Sequence, residues 1–153
     1  MKMRLRNSHI IFDLDGTLYD LYNVDNWLEK IESENPSVFT EGGALINIDK
    51  LNKKIEIFKK LGCTFSVVTW LPWGATEKYK KECYSAKMKW CRENLPTISE
   101  INIIDYGTGK HLYRKKDKFN YLIDDNLEIN DKFNKINNCK GMGLNLFLGK
   151  SVK

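Results

Sequence analysis

Long hydrophobic runs are missing from this 153-residue chain: none approaches the roughly 18 apolar residues that a membrane-spanning helix requires. A secretory leader is not evident either. The stretch Met1 to Arg6 is basic, but the short apolar run after Asn7-Ser8-His9 ends in acidic residues, with no small-residue cleavage site behind it. The expectation is a cytoplasmic protein without a membrane partner. Cysteine is sparse and unpaired in pattern. Cys63, Cys83, Cys91 and Cys139 form no CxxC, and Cys83 and Cys91 stand too far apart, with no histidine nearby, for half a zinc knuckle. Reduced thiols in or near a core are expected instead. Internal repeats, low-complexity tracts and Gly/Ser linkers are all lacking, so the length predicts one domain over residues 1–153. With 25 basic and 20 acidic residues the net charge is +5, which favours anionic partners without singling out nucleic acid.

What is present is alternation. Ser8 to Leu14 reads as a buried strand, carrying Ile10, Ile11 and Phe12 as a continuous apolar run. Asn23 to Glu34 reads as a helix with Val24, Trp27, Leu28 and Ile31 on one face, stopped by Asn35-Pro36. Further helices are predicted over Ile48 to Leu61, Thr76 to Asn94 and Glu128 to Asn137. Strands are predicted over Cys63 to Thr69, Glu100 to Asp105, Tyr121 to Ile123 and Met142 to Leu148. Tyr79, Tyr84, Met88 and Trp90 of the long helix either pack on the sheet or form a dimer face, and the oligomeric state stays open. This order predicts an α/β fold, a doubly wound, mostly parallel sheet with helices on both sides. In such sheets ligands bind outside the carboxyl ends of the strands, where Asp13, Asp15, Thr69, Asp105, Tyr106, Asp124 and Asp125 fall.

Asp13 and Asp15 flank Leu14, and residues two apart in an extended chain point to the same side. Neighbouring carboxylates remain ionised together only if a cation or strong donors compensate them. Asp124-Asp125 brings more carboxylate oxygen to the same edge, with no His or Cys beside it, which points to Mg²⁺ rather than zinc. Taken singly each acid reads as a cap or turn residue. Two clusters at the ends of two strands, the first followed by Gly16-Thr17, read as a site.

The segment Ile10-Ile11-Phe12-Asp13-Leu14-Asp15-Gly16-Thr17 matches the apolar-DxDGT motif of the haloacid dehalogenase (HAD) superfamily. Val67-Val68-Thr69 resembles that superfamily's second motif, and Tyr121-Leu122-Ile123-Asp124-Asp125 its fourth. Val68-Thr69-Trp70-Leu71-Pro72, Tyr106-Gly107-Thr108-Gly109-Lys110 and Ile123-Asp124-Asp125-Asn126 resemble the small 5′(3′)-deoxyribonucleotidase-like proteins, phage-encoded ones included. The resemblance implies a HAD-like Rossmannoid domain and a Mg²⁺-dependent phosphatase. Asp13 would be the nucleophile, forming an aspartyl-phosphate, and Asp15 the general acid and then base. The metal would be held by the Asp13 side chain, the Asp15 carbonyl and the Asp125 side chain, with Asp124 behind them or bound through water. Thr69 would donate to phosphate. Lys110 would pair with Asp13 and phosphate, favoured over Arg114, Lys115 and Lys116 because Gly107 and Gly109 let the backbone come close. His111 has no assigned role, and His9 reads as a strand-edge residue.

The spacings leave room for only a small helical cap-like insert around residues 18–47, which implies an open site. Two substrate scales fit it. A nucleotide would stack on aromatic residues drawn from Tyr19, Trp27, Trp70, Trp73 and Tyr106, with Thr69, Lys110, Tyr19, Trp70 and Trp73 as the substrate-binding set. A phosphorylated nucleic-acid end, or a phosphoprotein, would use the basic run Lys110, Arg114, Lys115, Lys116 and Lys118. A non-catalytic, phosphate-dependent binding module is the third reading; such proteins usually lose an acidic position, and this chain keeps them all.

Overall fold

The computed structural model describes residues 6–149, so of the basic N-terminal stretch only Arg6 is described. Among the described residues five strands form one sheet: β1 (His9–Phe12), β2 (Thr64–Trp70), β3 (Glu100–Ile104), β4 (Asn120–Ile123) and β5 (Cys139–Met142). All pairings are parallel, in the order β3-β2-β1-β4-β5. The helices are α1 (Trp27–Glu32), α2 (Ile48–Lys60), α3 (Glu77–Asn94), α4 (Leu127–Asn134) and α5 (Leu144–Leu148). This is the expected α/β architecture. The chain starts in the middle of the sheet, builds β2 and β3 to one side, then returns to build β4 and β5 on the other, so strand order reverses at β1.

Alternation along the strands sorts the apolar residues onto two faces. Ile10, Phe12, Phe65, Val67, Tyr121 and Ile123 join a core completed by Leu51, Ile55 and Phe58 of α2 and Tyr79 and Cys83 of α3. Ile11, Val68 and Leu122 face the other way, against Phe133 of α4. Each such buried side chain contributes about 1.5–3 kcal/mol. With both faces covered, β1 and β4 are buried along their whole length, which is why they read as unbroken apolar runs. The four cysteines are free and buried; burial pushes the Cys83 thiol up to about 11 and Cys91 to about 12, so both stay as inert thiols.

Three expectations require correction. The last strand is not Met142 to Leu148: β5 ends at Met142, and Leu144–Leu148 is helical. Short apolar runs fit either structure, and here the fully buried Phe147 packs edge-on against Phe12 and Phe58, which holds a helical turn back across the sheet. The helix expected over Asn23 to Glu34 is only Trp27–Glu32, because Asn26 adopts a left-handed conformation (φ 56°) that breaks it from the 3-10 turn at Leu21–Asn23. His9 is not at a strand edge. It is buried on the central strand, its ring nitrogens 2.7 Å from Thr64 Oγ1 and 3.0 Å from Ser66 Oγ.

The segment around residues 18–47 folds over the carboxyl end of the sheet. Tyr19 is buried there, donating its hydroxyl to the Val38 carbonyl and accepting from the Gly42 amide. Tyr79 of α3 donates to the Asn35 carbonyl, and Glu34 accepts from the amide and hydroxyl of Thr76, the N-cap of α3. The segment is thus tied to α3 through Glu34 and Asn35.

Candidate active site

β1 and β4 pair in register with Phe12 opposite Ile123, so Asp13 and Asp124 leave neighbouring strands at the same height. The Asp13 amide donates to the Ile123 carbonyl at 2.9 Å. Beyond Asp13 the chain turns tightly, with the amides of Thr17, Leu18 and Tyr19 all donating to the Leu14 carbonyl. Gly16 is required twice over: its φ is +78°, and a Cβ there would lie 2.6 Å from Asp125 Oδ2. The turn delivers Thr17 between the two acidic clusters. Its hydroxyl lies 2.9 Å from Asp13 Oδ2 and 3.2 Å from Asp125 Oδ1, and it accepts from the Asp125 amide. Thr17 carried no role in the sequence reading, although it belongs to the motif.

Lys110 opens a 3-10 turn, Lys110–Tyr113, and its buried ammonium lies 2.8 Å from both Asp13 Oδ1 and Asp124 Oδ2. Burial works against that charge, but Asp13 and Asp124 outweigh it and raise its pKa. The reason given for the flanking glycines does not hold. Gly107 is needed for its left-handed backbone (φ +84°), and a Cβ on Gly109 would strike the His111 ring rather than the site.

Asp13, Asp124 and Asp125 each place a carboxylate oxygen within 4.8 Å of the others. Among the described residues Lys110 is the one ammonium paired with this trio, which leaves negative charge over. Burial first, then the charges of Asp13 and Asp124, push Asp125 up to about 7, and Asp124 is raised by burial and Asp13. Three clustered oxygens with a surplus of negative charge fit a hard divalent cation. Asp124 already spends Oδ2 on Lys110 and Oδ1 on the Asn126 amide, whereas Asp125 is the more open of the two. Asp13 is engaged likewise, Oδ1 by Lys110 and Oδ2 by the Thr17 hydroxyl, so Asp125 is the freest donor of the three.

Asp15 lies apart from that trio, held by a residue the sequence reading missed. Lys87 of α3 is 1% exposed, and its ammonium donates to Asp15 Oδ2 (2.5 Å), Thr69 Oγ1 (3.1 Å) and the Trp70 carbonyl (2.7 Å). The signal was present: Tyr79, Cys83, Lys87 and Cys91 repeat every four residues along the buried stripe of α3, a lysine in an apolar row. Burial raises the Asp15 pKa against the opposing pull of Lys87, the direction that favours a proton donor.

These groups floor a cavity of about 450 Å³, a size typical of small-molecule sites. Asp13, Asp15, Thr69, Lys110, Asp124 and Asp125 all line it. Its walls include Trp70 at the end of β2, Trp73 and Tyr106 from the loops after β2 and β3, and Tyr22, Trp27 and Leu28 from the segment around residues 18–47. Trp70 is anchored, donating its indole N–H to the Thr108 carbonyl and packing 4.9 Å from the Tyr106 ring. Trp73 is 80% exposed, and Tyr22 and Tyr106 are more than half exposed. Tyr19 does not line the cavity; its expected place on the substrate is taken by its role inside the insert. Arg114, Lys115, Lys116 and Lys118 are also absent from the lining. Lys115 and Lys118 bind Asn120, at the amino end of β4, and Lys115 pairs with Glu100 at the start of β3.

No protein-family model and no curated protein sequence matches the chain. Among solved structures, it is similar to the crystal structure of D,D-heptose 1,7-bisphosphate phosphatase from Burkholderia thailandensis, with a TM-score of 0.49 and 13% identity over 82% of this chain and 70% of that one. Among the described residues no helix is long and apolar enough to cross a membrane.

Proposed function

We propose that this chain is a phosphomonoester hydrolase of the HAD type, dependent on Mg²⁺, that acts on a nucleotide. The observation that carries the reading is the joint placement of an acid–lysine centre and an aromatic-walled cavity at the carboxyl ends of the strands. Asp13 would attack phosphorus while the bond to the leaving oxygen breaks, leaving the phosphoryl group on its carboxylate. Asp15 would give a proton to the departing alcohol, then take one from the water that attacks the aspartyl-phosphate and frees Asp13. Lys110 and the Thr69 hydroxyl would hold the phosphate oxygens. Mg²⁺, held by Asp13 and Asp125 with the Asp15 carbonyl, would supply positive charge to the phosphate and the attacking carboxylate.

The size and walls of the cavity favour a small substrate over a polymer. Lys110, the one lysine lining it among the described residues, suits a single phosphate group, while the exposed rings of Trp73, Tyr22 and Tyr106 suit a flat base. A nucleic-acid strand would need cations along its path, and Lys115 and Lys118 sit toward the other end of the sheet. The test is phosphate release in Mg²⁺ from 5′- and 3′-deoxyribonucleotides against phosphorylated oligonucleotide ends, with Asp13→Asn as blank. Mononucleotides should be preferred, and Trp73→Ala should raise KM about tenfold, the loss expected for one stacked base, with kcat little changed. Preference for oligonucleotide ends would sink the nucleotide reading, and no release from any phosphomonoester would sink the hydrolase.

A further inference from the structure

Lys87 is the buried charged group that the proposed chemistry leaves without a part. An ammonium has three donors, and Lys87 spends all three, on Asp15 Oδ2, Thr69 Oγ1 and the Trp70 carbonyl. Its position is fixed further by the Phe39 ring, 4.7 Å from Nζ. What it leaves free is as informative as what it binds. Asp15 Oδ1 is buried and has no hydrogen-bond partner, although Asp15 lines the cavity. Thr69 Oγ1 accepts from Lys87, so its own proton remains available to another acceptor. Stability alone does not account for a lysine at this place, since a buried ion pair is often matched or bettered by well-packed apolar side chains.

Resting on the hydrolase reading above, we infer that Lys87 is a positioning residue: it fixes Asp15 and Thr69 so that Asp15 Oδ1 meets the leaving-group oxygen and the Thr69 proton meets the phosphate. Helix α3 thereby sets the geometry of proton transfer without touching the substrate. The prediction is a loss that depends on the leaving group. A phosphate ester of an alkyl alcohol needs a proton on its leaving oxygen, whereas 4-nitrophenyl phosphate, whose leaving group is a stable anion, needs little help.

The experiment compares kcat/KM for a deoxyribonucleotide and for 4-nitrophenyl phosphate, in Mg²⁺, for wild type, Lys87→Met, Asp15→Asn and the double variant. Lys87→Gln is carried alongside, in case the methionine variant does not melt cooperatively. Lys87→Met should lose about 100-fold on the nucleotide and less than about tenfold on 4-nitrophenyl phosphate. In the Asp15→Asn background the same change should cost less than about tenfold on the nucleotide, because the part that runs through Asp15 is gone and only the Thr69 part remains. Equal losses on both substrates, or the full loss persisting without Asp15, would overturn the assignment and make Lys87 a plain structural ion. Wild type inactive on both esters would overturn the hydrolase reading and this assignment with it; an active wild type with uniform losses overturns the assignment alone.

Discussion

The two ends of the same strands bury polar groups in opposite ways. At the amino end the fully buried side chains are neutral: His9, held by Thr64 and Ser66, and Asn120 on the next strand, with the half-exposed Glu100 carboxylate 3.9 Å from His9 Nε2. His9 holds two hydroxyls, and Asn120 uses its amide oxygen and nitrogen on the Lys115 and Lys118 backbone. At the carboxyl end, among the described residues, four carboxyls meet two ammonium groups, and one buried carboxylate oxygen, Asp15 Oδ1, has no partner. The sheet is shared, so the difference does not come from the fold. Polar groups buried for structure end up matched, donor to acceptor and charge to charge. Those at the carboxyl end keep an imbalance that only a cation and a substrate would remove.

The largest expected effect breaks the carboxyl end at its centre. Asp13→Asn removes the proposed nucleophile while nearly conserving shape, and should lower phosphate release by at least about 10⁴-fold. The fold should tolerate it: Lys110 keeps Asp124, and one member of a crowded trio loses its charge. Melting of the metal-free variant at or above the wild-type temperature, with turnover lost, is the expected pair of results. Turnover retained would remove Asp13 from the chemistry.

This contrast between the ends decides what the sequence could reveal. The α/β order was legible because β1 and β4 are buried on both faces and read as unbroken apolar runs. Asp13, Asp15, Asp124 and Asp125 were legible because they fall in two clusters at the ends of two such runs, the first followed by Gly16-Thr17; singly each would read as a cap. Lys110 was found through its motif context, though the glycines beside it serve other ends. Lys87 was not found, because it lies among Lys78, Lys80, Lys81 and Lys89 on α3, and a single buried lysine in a basic helix shows only in its four-residue phase with Tyr79 and Cys83. Helix α5 was misread because Leu144 to Leu148 is too short for periodicity to separate helix from strand; Phe147 reaching Phe12 decides it, a contact between residues far apart in the chain. Tyr19 was misassigned because an aromatic ring near a site serves equally well as substrate platform or as buckle, and only its hydrogen bonds to Val38 and Gly42 tell which.

The next effect sharpens the comparison through pH at the amino end. Burial lowers the His9 pKa to about 4 from 6.5, with Glu100 opposing and Lys115 and Lys118 assisting. Between those values the unfolded chain binds the proton and the folded chain does not, so stability is full above about 6.5 and falls as pH drops toward 4. The loss attributable to this residue is up to about 3 kcal/mol. Urea denaturation across this range should show it, and His9→Gln should flatten that part of the slope. An unchanged slope in the variant would mean that His9 titrates freely despite its burial.

The smallest effect tests the carboxyl end without any assay of turnover. If the oxygens of Asp13 and Asp125 take Mg²⁺, the cation binds the folded chain alone. At tenfold above its dissociation constant it adds about 1.4 kcal/mol, or about 3–6 °C in Tm. Ionic strength is matched with NaCl, because general screening of a crowded acidic cluster would also raise Tm. The amino end supplies the control. His9→Gln should keep the Mg²⁺ shift while flattening the acid slope; Asp125→Asn should lose the shift and steepen the slope, because the raised Asp125 pKa opposes the His9 loss over the same range. A shift surviving in Asp125→Asn would place the cation elsewhere, and one equalled by NaCl would reduce the trio to ordinary repulsion with no site in it.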